Sequence, residues 1–162
     1  MPQLSMHSPV GDLSISEDDG AIVAVDWGWG SLQTPTPLLR EARRQLDAYF
    51  DGDLRQFTLP MRPFGTAFQR RVWQAMSAIP YGKTVTYGDI SRELASSARA
   101  VGGACGRNPI PIIVPCHRVL GAGGAVGGYS GEGGGETKLL LLRLEGVSGL
   151  AGSALEAVMG CD

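Results

Sequence analysis

The chain has 162 residues, 43% of them apolar and 19% charged, with 24 Gly, 10 Pro and a formal net charge of −2. That length supports one good core, or a small domain plus a second of modest size, and no stretch approaches the ~20 apolar residues of a membrane span. Three cysteines, Cys105, Cys116 and Cys161, cannot all pair and match no zinc spacing, and only His7 and His117 could assist them; the expectation is a soluble cytoplasmic protein with no metal site.

Residues 13–16 and 21–27 flank an acidic turn at residues 17–20, the pattern of a two-stranded hairpin. Pro35 and Pro37 introduce a helix over residues 38–50, with Leu38, Leu39, Ala42, Leu46, Tyr49 and Phe50 on one face and Asp51-Gly52 as its stop. Residues 54–59 are a candidate further strand. Residues 60–65 read as a linker, giving an N-terminal α/β domain over residues 1–62 and a second domain over residues 63–162.

Thr66 is the expected N-cap of a helix over residues 67–78, with Phe68, Val72, Trp73, Met76 and Ile79 inward and Arg70 and Arg71 outward. Pro80-Tyr81-Gly82-Lys83 ends it in a turn. The β-branched residues 84–86 lead to a helix over residues 87–95, a tight connection at Ser96-Ser97, and a second short helix over residues 98–106. Gly102-Gly103 inside that helix costs about 1 kcal/mol per residue relative to Ala, so something must approach it closely.

Residues 61–118 carry eight basic side chains against Asp89 and Glu93, a net of +6, whereas residues 1–60 sum to −5 and residues 119–162 to −3. Two short helices across a tight turn in a basic segment give a helix-turn-helix reading, with a polyanion bound nearby. Pairing of these arginines with the acidic flanks is the alternative, and αα-corners also occur in proteins that never touch DNA.

The apolar run Ile110-Pro111-Ile112-Ile113-Val114 closes on Pro115-Cys116-His117-Arg118-Val119. A thiol with an ordinary pKa is mostly protonated at neutral pH and needs a nearby base or positive charge before it attacks. Neighbours on a strand point to opposite faces, so adjacency alone leaves Cys116 as either a buried core thiol or a nucleophile. Residues 121–135 form a glycine-dense loop, a surface excursion or the wall of a pocket for a flat ligand. Thr137 is the expected cap of a helix over residues 138–145, Gly146 its C′ residue, and residues 154–159 carry a weak helical pattern.

At these residues the chain resembles the O6-alkylguanine-DNA alkyltransferases, the direct-reversal DNA repair proteins also called methylated-DNA-protein-cysteine methyltransferases. The resemblance runs through Phe68-Gln69-Arg70-Arg71-Val72-Trp73, Ile79-Pro80-Tyr81-Gly82-Lys83-Thr84, Tyr87-Gly88-Asp89-Ile90, Ala98-Arg99-Ala100-Val101-Gly102-Gly103, Arg107-Asn108-Pro109, the Cys116 segment and Leu142-Arg143-Leu144-Glu145-Gly146, in order and near-complete spacing. It is weaker over residues 1–60, chiefly Ser8-Pro9-Val10-Gly11 and Tyr49-Phe50. It implies an α+β fold: a small ribonuclease-H-like N-terminal sheet domain and a mainly helical C-terminal domain with a winged helix-turn-helix.

The resemblance also implies an activity. An alkyl group passes irreversibly from O6 of guanine, and O4 of thymine, in duplex DNA to Cys116, one turnover per molecule, with no cofactor and as a monomer. Cys116 is then the acceptor, His117 its base through a bridging water, and Glu145 the group polarising the imidazole. Tyr87 donates to the leaving guanine, Lys138 helps to hold the site, and Asn108 braces the turn before the Cys116 strand. Arg99 fills the space of the flipped base, with Ala98, Gly102, Gly103, Arg107, Arg118 and Thr86 on the DNA; Cys105, Val126, Tyr129 and Ser130 form the base pocket.

Three features depart from the family pattern. The N-terminal zinc site of some relatives is missing, the Ser96-Ser97 connection is about two residues short, and the loop over residues 131–136 is slightly long. Competing readings are a lesion sensor that flips without reacting, a winged-helix transcription factor and a cysteine hydrolase. Cys116 opposes the first, since such sensors replace that cysteine. The second leaves the Cys-His-Glu series unexplained, and nothing else in the sequence supports the third.

Overall fold

The computed structural model describes residues 1–127 and 134–149. Tyr129, Ser130, Cys161, residues 128–133 of the long glycine loop and the expected helix over residues 154–159 lie outside the described residues. The chain forms two compact units: residues 1–64 with 109–113, and residues 65–108 with the chain from Val114 onward.

In the first unit, β1 (Gln3–Met6), β2 (Leu13–Asp18) and β3 (Ala21–Trp27) form an antiparallel sheet in the order β1-β2-β3. The register pairs Leu4 with Ile15 and Ile15 with Val25, so Leu4, Met6, Leu13, Ile15 and Val25 share one buried face. Helix α1 (Pro37–Phe50) supplies Leu39, Ala42, Leu46 and Tyr49 to this unit's core. On the other face Ser5 and Ser14 are buried but satisfied: their hydroxyls meet at 3.0 Å, and Ser5 also accepts from Gly30 N–H and Gln33.

The strand expected over residues 54–59 does not form. The Gln45 amide of α1 takes Thr58 instead, accepting from its N–H at 2.9 Å and donating to its carbonyl at 3.4 Å and its hydroxyl at 3.1 Å, which engages both backbone groups of that residue. The chain meets the sheet further on, through a parallel bridge between Ile22 and Met61 and through Arg62, which donates to the Asp18 carbonyl at 3.0 Å. Within residues 109–113, buried Ile112 adopts φ +73° while the Ile113 N–H donates to Pro111 at 2.9 Å, a γ-turn that is costly for a β-branched residue.

The second unit is mainly helical. Helix α2 (Ala67–Ser77) starts at Thr66, whose side chain and Gln69 complete a capping box. Its Val72, Trp73 and Met76 are buried, and the Trp73 indole donates to the Ala104 carbonyl at 2.8 Å, tying α2 to α4 (Ala98–Gly106). Gly65 is required here, because a Cβ would lie 2.4 Å from the Trp73 ring. Helix α3 (Tyr87–Glu93) has its own capping box in Thr86 and Asp89, and α4 is capped by Ser97. Between them Ala95 takes φ +54°, which ends α3 two residues earlier than expected.

Strands β4 (Val85–Thr86) and β5 (Val119–Leu120) pair in parallel, and α5 (Gly135–Leu144) closes the described fold. Thr137 is not the cap of α5. It lies inside the helix, which begins at Gly135 after Gly134 at φ +54°. The far end matches expectation: Gly146 at φ +79° donates to Arg143, and Val147 donates to Leu142, the two bonds of a Schellman motif. Val147 packs on the cluster of Leu120, Val126, Leu139 and Leu142, which fixes the position of the C-cap residue Glu145.

Candidate active site

Cys116, His117 and Arg118 form one turn of 3-10 helix, not the strand expected from the apolar run. Pro115, at φ −82° and ψ 67°, lets the Cys116 N–H reach back to the Val114 carbonyl at 2.8 Å, an inverse γ-turn. The Asn108 side chain donates to that same carbonyl at 2.9 Å, so Asn108 braces the turn that presents the thiol. A 3-10 turn also removes the alternation argument, since successive side chains there are not driven to opposite faces.

Around this turn the helices contribute a buried polar cluster. His117 and Glu145 are buried at 0% and 5% exposure, and His117 Nε2 lies 2.6 Å from Glu145 Oε2. An ionised carboxylate can only accept, so Nε2 carries the proton and Nδ1 is the nitrogen that offers a lone pair. Burial holds the His117 pKa below its ordinary value; Glu145 opposes that shift, while the Arg118 and Lys138 charges reinforce it. The imidazole is therefore a neutral base at physiological pH.

Glu145 accepts three more hydrogen bonds, from two residues. Arg118 grips it as a fork, Nε to Oε1 at 2.8 Å and Nη2 to Oε2 at 3.1 Å, and the Gly82 amide donates to Oε1 at 3.1 Å. Arg118 Nη1 also donates to the Ile79 carbonyl at 2.7 Å, and Tyr81 donates to the Leu144 carbonyl at 3.2 Å. The expectation that Arg118 contacts DNA is corrected here. Only 6% exposed, it has its guanidinium committed within the protein. The turn at residues 80–83 is legible as a turn, but its part in holding Glu145 is not.

Tyr87, Lys138 and Cys105 lie within electrostatic reach of Cys116. Lys138 is fully buried, its Nζ 3.4 Å from the Tyr87 hydroxyl and 5.5 Å from that ring's centroid. Burial depresses its pKa, and the neighbouring thiols oppose that shift. Burial, with the nearby thiols, pushes the Tyr87 phenol up to about 12, so it keeps its proton at neutral pH and can donate it.

Cys105 is a different kind of thiol. It is 5% exposed, its Sγ lies 3.3 Å from Met76 Sδ, and burial pushes its pKa up to about 12. Val126, expected at the base pocket, has its side chain in the apolar cluster under α5. Among the described residues no group of three or more His, Cys, Asp or Glu could hold a metal ion.

The expected nucleic-acid residues Ala98, Arg99, Gly103 and Arg107 are exposed along α4, and Gly102 is half-buried. A Cβ at Gly102 or Gly103 would meet nothing within 4 Å, so no part of the described protein accounts for the two glycines. The half-buried Thr86 uses its hydroxyl to cap α3.

Two family models match the chain. One, described as the ribonuclease-like domain of 6-O-methylguanine DNA methyltransferase, covers residues 4–63, and the other, described as the DNA binding domain of the same protein, covers residues 67–147. A methylated-DNA–protein-cysteine methyltransferase of Methanosarcina acetivorans is 44% identical over 150 residues, 86% of this chain and 95% of the relative. The constitutive enzyme of that name in Bacillus subtilis is 42% identical over 155 residues, 88% of this chain and 93% of the relative. The crystal structure of Mycobacterium tuberculosis OGT in complex with DNA superposes with a TM-score of 0.81 at 40% identity, covering 96% of this chain and 98% of that one.

Proposed function

The chain belongs to the 6-O-methylguanine DNA methyltransferase family, and we infer from that membership and from the Cys116 site that it repairs DNA by direct reversal. It is a methylated-DNA–protein-cysteine methyltransferase that acts once, its DNA partner carrying the O6-alkylguanine lesion. The observation that carries the residue-level reading is the buried series in which Cys116 adjoins His117, and His117 donates to a Glu145 that also accepts from Arg118 and Gly82.

In this reading the Cys116 sulfur attacks the O6 methyl carbon, the S–C bond forms as the C–O6 bond breaks, and the electron pair leaves with the guanine. The thiol proton passes to Nδ1 of His117 through a water, and Glu145 stabilises the resulting imidazolium. The Lys138 charge favours the thiolate, and the protonated Tyr87 hydroxyl donates to the developing guanine anion. Lys138 donating to the Tyr87 oxygen supports this, because it leaves the phenolic proton for the base.

The target atom is out of reach inside a duplex, so the base must be flipped out at a cost of a few kcal/mol. Exposed Arg99 is suited to fill the vacated space, and the open glycine face of α4 to lie against the DNA backbone. Arg107 then supplies a phosphate contact. We assign the protein to the cytoplasm, where a thiol acceptor stays reduced; among the described residues no helix is long and apolar enough to cross a membrane.

Titration of a duplex containing O6-methylguanine with the protein tests this reading. The lesion should disappear in equal proportion to the protein added and then stop. Continued turnover, or lesion binding with no loss of lesion, would contradict it.

A further inference from the structure

Arg118 lies in the basic segment and was expected to face DNA, yet every nitrogen of its guanidinium donates inside the protein. Two donate to Glu145 at 2.8 and 3.1 Å and the third to the Ile79 carbonyl at 2.7 Å, while the group stands 5.8 Å over the Tyr81 ring. A planar fork on both oxygens of a carboxylate fixes the plane of that carboxylate and favours its ionised form. The oxygen held by Nη2 is Oε2, the same atom that lies 2.6 Å from His117 Nε2.

We propose that Arg118 is a positioning residue for alkyl transfer: by gripping both oxygens of Glu145 it keeps that carboxylate ionised and turned to accept the Nε2 proton of His117. The inference rests on the reading of Cys116 as the acceptor. Without the Arg118 charge, Glu145 would draw a second proton onto the ring more strongly, with burial and Lys138 left to oppose it. In the doubly protonated ring both nitrogens are donors, and no lone pair is left to receive the thiol proton.

The charged groups that face His117 are Glu145 and Lys138 of the α5 segment and Arg118 on its own turn. Cys116 is its chain neighbour, and Tyr87 of α3 and Cys105 of α4 lie within electrostatic reach of Cys116. Arg118 is the cation that meets Glu145 directly, so the balance between His117 and Glu145 depends on it first.

The test is nitrogen NMR of the imidazoles in the intact protein at pH 7 and over a pH titration, with His117 assigned through His7→Gln, alongside single-turnover methyl transfer at saturating lesion duplex. In the native protein His117 should be neutral with its proton on Nε2. In Arg118→Met the ring should take up its second proton at a higher pH than in the native protein, and transfer should slow by about 10-fold or more, the scale of losing a charge-assisted hydrogen-bond partner, with duplex affinity unchanged. Arg118→Lys, which keeps the charge but not the fork, should fold and fall between the two in rate.

A doubly protonated His117 in the native protein would overturn the proposal, as would an Arg118→Lys variant with native rate and spectrum. Loss of duplex affinity at an unchanged saturating rate would also overturn it and make Arg118 a phosphate contact. If Arg118→Met does not fold, the native spectrum and Arg118→Lys carry the decision. Failure of Cys116 to gain a methyl group in the native protein would refute the proposed function instead, and the tautomer of His117 would still be read.

Discussion

Gly82 and Glu145 are in close contact. The Gly82 amide donates to Glu145 Oε1 at 3.1 Å, and a Cβ at Gly82 would stand 3.1 Å from the Glu145 backbone oxygen. Gly82, at φ +78°, is in a backbone region that residues with side chains rarely adopt, and a Cβ there would press the end of α5 by a few tenths of an ångström. Gly82→Ala should therefore destabilise the protein by about 1–3 kcal/mol and slow methyl transfer, because Glu145 must give way. Urea unfolding and single-turnover rates check both effects.

The glycines of α4 lead to the opposite expectation for stability. Gly102 and Gly103 have open space where a Cβ would go, so Gly103→Ala should stabilise the free protein by up to about 1 kcal/mol through helix propensity. The same methyl should weaken binding to duplex DNA. Stabilisation with unchanged DNA affinity would remove close approach of DNA as the reason for the pair.

Reading these elements from sequence worked where the signal is local. Thr66 and Gly146 are caps with short-range chemistry, and they mark helix boundaries correctly. Thr137 misled because it looks like a cap, while the true start of α5 is a glycine at positive φ with no such mark. The four-residue β1 is too short to stand out by alternation. The strand over residues 54–59 failed because its backbone partner is Gln45, which periodicity cannot reveal.

At the site, the Cys116-His117 pair and Glu145 were legible through the family motifs, but Arg118 was not. Its partner lies 27 residues further along the chain, and an arginine in a segment of net charge +6 looks like a phosphate contact until the fold brings the carboxylate to it.

Tyr87→Phe removes the proposed donor to the leaving base and leaves Lys138 buried without its hydroxyl partner. Transfer from O6-methylguanine should slow by about 100- to 1,000-fold while lesion binding persists, the range for loss of one donor to a developing anion. A rate unchanged by the substitution would take Tyr87 out of the chemistry.

The buried imidazole also predicts a pH dependence of stability. The folded pKa of His117 lies below 6.5, so between 6.5 and that folded value the unfolded chain binds a proton that the native protein does not. Stability then rises with pH across this window. It should fall as the pH drops below about 6.5, by at most about 1.4 kcal/mol per pH unit from this group. Urea midpoints at several pH values check the slope, and it should flatten in His117→Asn.

The most direct test of the central claim is peptide-level mass spectrometry of the protein after one incubation with duplex DNA containing O6-methylguanine. The account predicts a gain of one CH2 on the peptide carrying Cys116, with Cys105, held neutral beside Met76, unmodified. A methyl group on any other residue, or none while the lesion is bound, would contradict it.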